Sequence, residues 1–115
     1  MSKTFSLGAI LTITTGKLLV PDIGPVYKIL GYMTGDTLFT HQLPRAGRFC
    51  AEPILEQHPQ LREVTGDDIT TENWTQKVAD LKVKYGKVLP IEPLAPGTWE
   101  HINPVTELVE MRNGT

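Results

Sequence analysis

Residues 5–20, FSLGAILTITTGKLLV, decide how the rest of the chain is read. Leu11 and Ile13 alternate with Thr12 and Thr14, and β-branched side chains suit a pleated, half-buried surface. Thr15-Gly16 has the composition of a bend, so Lys17-Leu18-Leu19-Val20 is expected to return as a second short strand. The segment therefore predicts a hairpin. A helix over residues 9–14 is disfavoured by the β-branched residues and by the glycines on either side.

Beyond Pro21-Asp22 the pattern changes period. Val26, Ile29, Leu30 and Met33 recur at helical spacing, Pro25 suits a first turn, and Gly35 suits a left-handed cap, which predicts a helix over residues 25–34. Residues 37–40 are expected to be extended. A second helix is expected from Pro44, with Phe49, Ile54 and Leu55 on its buried face, although Gly47 and Pro53 oppose a regular one; His58-Pro59 ends it. Trp74, Val78, Leu81 and Tyr85 form one apolar stripe behind Thr70-Thr71-Glu72-Asn73 and before Gly86. Residues 88–92 read as a strand that Pro90 confines to a sheet edge. Asn103-Pro104 opens a last helix carrying Val105, Leu108, Val109 and Met111 and ending at Asn113-Gly114. The expected fold is a single α+β domain over residues 1–115, a small antiparallel sheet packed with three to four helices.

The composition narrows function mainly by exclusion. The 115 residues include 11 Lys+Arg, 13 Asp+Glu, three His and one Cys, with a formal net charge of −2. That balance opposes both a highly charged disordered chain and a strongly basic nucleic-acid binder. One cysteine leaves cysteine-based zinc frameworks short of sulfur, and His41, His58 and His101 have no metal-ligand spacing, so neither metal nor cofactor is expected. No apolar run approaches the roughly 20 residues of a membrane span. The start is also a poor secretory signal, and these features lead us to expect a soluble intracellular protein.

Three constellations invite chemistry. Thr14-Thr15-Gly16-Lys17 looks like the end of a phosphate-binding P-loop, but that motif needs a glycine where Leu11 stands and a hydroxyl where Leu18 stands. Cys50 and His41 invite a thiolate–imidazole pair, yet a cysteine between Phe49 and Ala51 reads as a small buried hydrophobe, so no catalytic residue is assigned. The third is the polar stretch within residues 34–48. Thr34, Asp36, Thr40, His41, Gln42, Arg45 and Arg48 form the candidate ligand-binding set. Arg45 and Arg48, three apart, share a helix face beside the free N–H groups of a helix start, which suits a phosphate or carboxylate. The competing expectation pairs these arginines with Glu52, Glu56 or Asp36 and leaves His41 to cap a turn.

Residues 33–46, MTGDTLFTHQLPRA, together with Thr14-Thr15-Gly16-Lys17-Leu18-Leu19, Gln57-His58-Pro59-Gln60-Leu61 and Pro104-Val105-Thr106-Glu107-Leu108, resemble a family of small proteins encoded by tailed bacteriophages. That family has no assigned activity, so the resemblance carries over no functional residue. It implies a phage accessory protein made in the cytoplasm of an infected bacterium. The expected function is non-enzymatic: an inhibitor or sponge that counters a host defence system by binding a host defence protein or an anionic nucleotide-derived signal. The alternatives are a small nucleotide- or protein-modifying enzyme using His41 and Asp36, and a small virion or assembly protein. A homo-oligomer is compatible with this reading, while the lack of a long apolar run opposes a membrane span and the scattered basic residues oppose nucleic acid as a partner.

Overall fold

At Ser6 the chain turns from strand into helix. The Ser6 hydroxyl accepts the Ala9 N–H at 3.3 Å, capping the helix α1, Leu7–Thr15, that follows the strand β1, Lys3–Ser6. Gly16 closes α1 in the left-handed region (φ 77°) with its N–H on the Thr12 carbonyl. The computed structural model describes residues 3–95 and 97–112.

The expected hairpin over residues 5–20 is thus overturned: only its first two residues are strand, and residues 17–20 form none. Two physical reasons account for this. The threonine hydroxyls that suggested a pleated surface donate instead to carbonyls four residues back, Thr12 to Gly8 at 2.8 Å and Thr15 to Leu11 at 2.6 Å. The remaining residues are apolar almost all round, and Leu7, Ala9, Ile10, Leu11 and Ile13 are all buried. A helix apolar on every side belongs at the centre of a core, where burial outweighs the few tenths of a kcal/mol that separate β-branched residues from good helix formers.

Helix α2, Gly24–Thr34, and helix α3, Leu43–Gln57, pack on α1, and the helix α4, Trp74–Tyr85, touches it from another side. The segment after α1 folds back across it: the Leu19 N–H reaches the Thr12 hydroxyl at 2.9 Å. A Cβ on Gly8 would stand 2.8 Å from the Leu19 carbonyl oxygen, so only glycine admits this crossing.

α2 follows the apolar spacing, burying Val26, Ile29, Leu30 and Met33 and ending at Gly35 (φ 71°). α3 runs through both Gly47 and Pro53 and stops at His58, as the following proline requires. Residues 37–39 are irregular and add no strand, and Thr40–Gln42 form a 3-10 turn leading into α3. α4 begins one residue after Asn73, which exchanges hydrogen bonds with Thr70 in both directions (2.7 and 3.2 Å). Of the apolar stripe on α4, Val78 is buried while Trp74, Leu81 and Tyr85 pack on the core half-buried.

The strand β2, Val88–Ile91, pairs antiparallel with β1, placing Phe5 opposite Leu89 and Thr4 opposite Pro90. In a two-stranded sheet both strands are edges, which is where Pro90 belongs. Helix α5, Pro104–Arg112, starts at Asn103, whose side chain accepts the N–H groups of Val105 (2.9 Å) and Thr106 (3.3 Å). Its expected end at Asn113-Gly114 lies outside the described residues. The chain is an α+β protein, with α1 as its additional helix. No described helix is long and apolar enough to cross a membrane.

Candidate functional site

The polar residues singled out within residues 34–48 divide between two places. Thr40 and Arg48 line an open cleft of about 690 Å³ between the end of α1 and the flanks of α2 and α3. Asp36, His41, Gln42 and Arg45 face the C-terminal segment instead. Thr34 closes α2, donating to the Leu30 carbonyl at 2.7 Å and accepting the Asp36 N–H at 3.2 Å.

The cleft has an apolar floor, with Ile13, Val26, Leu30 and Leu43 among its lining residues, and a polar rim of Thr14, Thr40 and Arg48. Its hydroxyls are already committed as donors or paired. Thr12 and Thr15 bond backbone carbonyls within α1, Thr14 makes a longer bond to Leu11 O at 3.4 Å, and Thr40 pairs with the Tyr27 hydroxyl. Arg48 is exposed and makes no hydrogen bond or ion pair among the described residues. Donor capacity at the rim therefore rests on the Arg48 guanidinium and the one proton that the Tyr27–Thr40 pair leaves free, whereas the threonine oxygens can accept. The helix ends facing the cleft are of opposite sign: the start of α3 at Leu43 and Pro44 adds partial positive charge on the Arg48 side, and the end of α1 at Thr15 and Gly16 adds partial negative charge on the threonine side.

Thr14-Thr15-Gly16-Lys17 sits at the end of a helix, whereas the Gly-Lys of a P-loop stands at the start of one. Lys17 is held by the carbonyls of Gly66 and Ile69, the latter at 2.8 Å.

The other group is a continuous polar network. Gln42 is fully buried; its Oε1 accepts the Phe39 N–H at 2.9 Å, and its Nε2 donates to the Ile102 carbonyl and to Glu107 Oε1, both at 3.1 Å. Arg45 grips Glu107 with both arms of its fork, Nε to Oε2 at 3.1 Å and Nη2 to Oε1 at 3.0 Å, and also donates to the Glu100 carbonyl. Its guanidinium lies 4.2 Å from the centre of the Trp99 ring, which meets Phe49 edge-on. Burial by itself would raise the Glu107 carboxyl; the hydrogen bonds from Arg45 and Gln42, aided by the Arg45 charge, hold it below the ordinary range.

His41 and Asp36 do not form an acid–base pair. His41 Nε2 donates to the Pro104 carbonyl at 2.7 Å. Asp36 accepts from His101 Nδ1 at 2.8 Å and from Trp99 Nε1 at 3.1 Å. Those bonds outweigh burial and lower its carboxyl also. Nor do Arg45 and Arg48 make a joint fork, since one grips Glu107 and the other stands at the cleft. Glu52, offered as a partner for them, pairs with Arg62 instead. Cys50 is buried, and burial pushes its thiol up to about 12, so it is a thiol and not a thiolate near neutrality. Among the described residues, no group of three His, Cys, Asp or Glu side chains converges on a point that would hold a metal.

Sequence reasoning missed Glu107, Trp99 and His101 as partners of the polar segment. The one available signal was Glu107 itself, a carboxylate in an apolar-rich helix.

A family model described as a domain of unknown function (DUF7736) matches residues 5–64, just over half of the chain, from β1 through α3 and the 3-10 turn Pro59–Glu63. No curated protein and no solved structure matches.

Proposed function

We propose that this chain, which belongs to the DUF7736 family, is a phage accessory protein that counters a host defence system by binding and sequestering an anionic, nucleotide-derived signal in the α1–α2–α3 cleft. On this reading it works in the cytoplasm of the infected bacterium and performs no chemistry on its ligand. The observation that carries the proposal is Arg48, a guanidinium without a partner among the described residues, at the mouth of an apolar cleft. A nucleotide presents the complementary groups. Its phosphate suits the guanidinium, its base suits an apolar floor, and its exocyclic N–H donors suit the threonine oxygens. The whole cleft also lies within the family match, since its lining runs from Thr12 to Ala51.

The test is calorimetric titration of the full chain with AMP, a cyclic di-adenosine monophosphate and inorganic phosphate, followed by an anti-defence plating assay. The expected result is saturable binding of a nucleotide, weakened at least tenfold by Arg48→Ala, with loss of protection by that variant in cells. Absence of nucleotide binding, or binding and protection indifferent to Arg48→Ala, contradicts the proposal.

A further inference from the structure

α5 is seated in an unusual way for a helix of a small domain. Val105, Leu108 and Val109 are 68%, 40% and 48% exposed, whereas Glu107 is 5% exposed. The usual pattern, apolar side chains inward and charges outward, is inverted at these four positions, while Glu110 and Arg112 stay exposed. The helix is located by a carboxylate, and its seat is built for one: the fork of Arg45 supplies two N–H donors, Gln42 supplies a third, and no buried polar side-chain atom among the described residues is left unpaired. The residues leading into α5 are likewise held by polar bonds, Trp99 and His101 to Asp36, and the Ile102 and Pro104 carbonyls to Gln42 and His41. Every receiving side chain belongs to residues 36–45, inside the family match, and every group received comes from residues 99–107, outside it.

From this we infer that Gln42 and Arg45 form a carboxylate-recognition seat, that α5 is its built-in occupant through Glu107, and that an acidic helix of a partner protein binds the seat by displacing α5. Displacement is favoured by the way α5 is attached. Leaving the seat re-exposes little of the described apolar surface of α5, because Val105, Leu108 and Val109 are already exposed. The groups released, a guanidinium and a carboxylate, are also ones that water solvates well, and Arg45 is already 28% exposed although Glu107 is buried. An incoming helix with glutamate in the same place recovers the same three hydrogen bonds.

The test uses the full chain in a Trp74→Phe background, so that Trp99 emission reports whether the segment is docked. The titrant is a synthetic peptide with the sequence of residues 101–112. Glu107→Ala should shift Trp99 emission to the red while far-UV circular dichroism keeps the helical signal of α1–α3. The peptide, carrying a fluorescent label read by anisotropy, should then bind this variant at least tenfold more tightly than the parent. A peptide with glutamine in place of the glutamate should bind at least tenfold more weakly, and adding Arg45→Ala should abolish binding. The inference is overturned if Trp99 emission does not respond to Glu107→Ala. Equal binding to parent and variant, indifference to the glutamine replacement, or loss of the whole fold on Glu107→Ala would overturn it equally.

Discussion

α1 and α5 are each nine residues long, and they are held by opposite physics. α1 has weak helix formers and is placed by burial, with Leu7, Ile10 and Leu11 wholly out of solvent. α5 leaves Val105, Leu108 and Val109 exposed and is placed by the Glu107 carboxylate together with the polar bonds of the residues leading into it. Burial is indifferent to direction and strong in sum, so it fixes a core even against local propensity. A hydrogen-bonded ion pair contributes less but prescribes one partner and one geometry. The contrast divides the chain into a core that resists opening and a C-terminal segment that can detach from it.

The largest expected effect falls on the core. Leu11→Ala should destabilise the protein by about 2–5 kcal/mol, the usual range for emptying a buried leucine site. Chemical denaturation monitored by circular dichroism checks this. The same substitution at Leu81, half-buried on α4, should cost clearly less, and equal costs would mean that the core is wrongly centred on α1.

Acid should act on the other region. Glu107 and Asp36 are both held below their ordinary values, so the stability they contribute is fully present above the unfolded carboxylate range of about 3.9–4.3 and disappears as pH falls through their lower folded values. Trp99 emission should therefore report release of the segment between mildly and strongly acidic pH, ahead of any loss of the α1–α3 helical signal. Glu107→Gln, which keeps the shape but not the charge, should weaken docking already at neutral pH, by about 1–2 kcal/mol.

The smallest effect on stability belongs to Arg48→Ala, within about 0.5 kcal/mol, as for other surface changes that break no contact. Arg45→Ala should cost more, because it leaves Glu107 buried without its main partner. Thermal denaturation of the two variants side by side separates an arginine that holds the fold from one that is free to hold a ligand.

Much of this was legible in the sequence where local and global forces agree. The helix carrying Val26, Ile29, Leu30 and Met33 has its proline at the start, its glycine at the end and its apolar face inward, and it forms where the spacing places it. Residues 5–20 were misread because the interleaved threonines carry the local signal of a strand, while the outcome depends on tertiary burial and on hydroxyls turned back onto the helix. The polar segment was visible as a cluster, but the partner of Arg45 was not, because Glu107 lies 62 residues away. No local rule reads a pairing at that distance.

Native-state amide hydrogen exchange on the full chain tests the division most directly, comparing the unsubstituted protein with Glu107→Ala. The account predicts that amides of residues 105–112 already open at lower free energy than those of α1–α3. It also predicts that the substitution speeds exchange in residues 105–112 at least tenfold and leaves α1–α3 nearly unchanged. Equal protection of α5 and α1, or acceleration spread evenly over both, would contradict it.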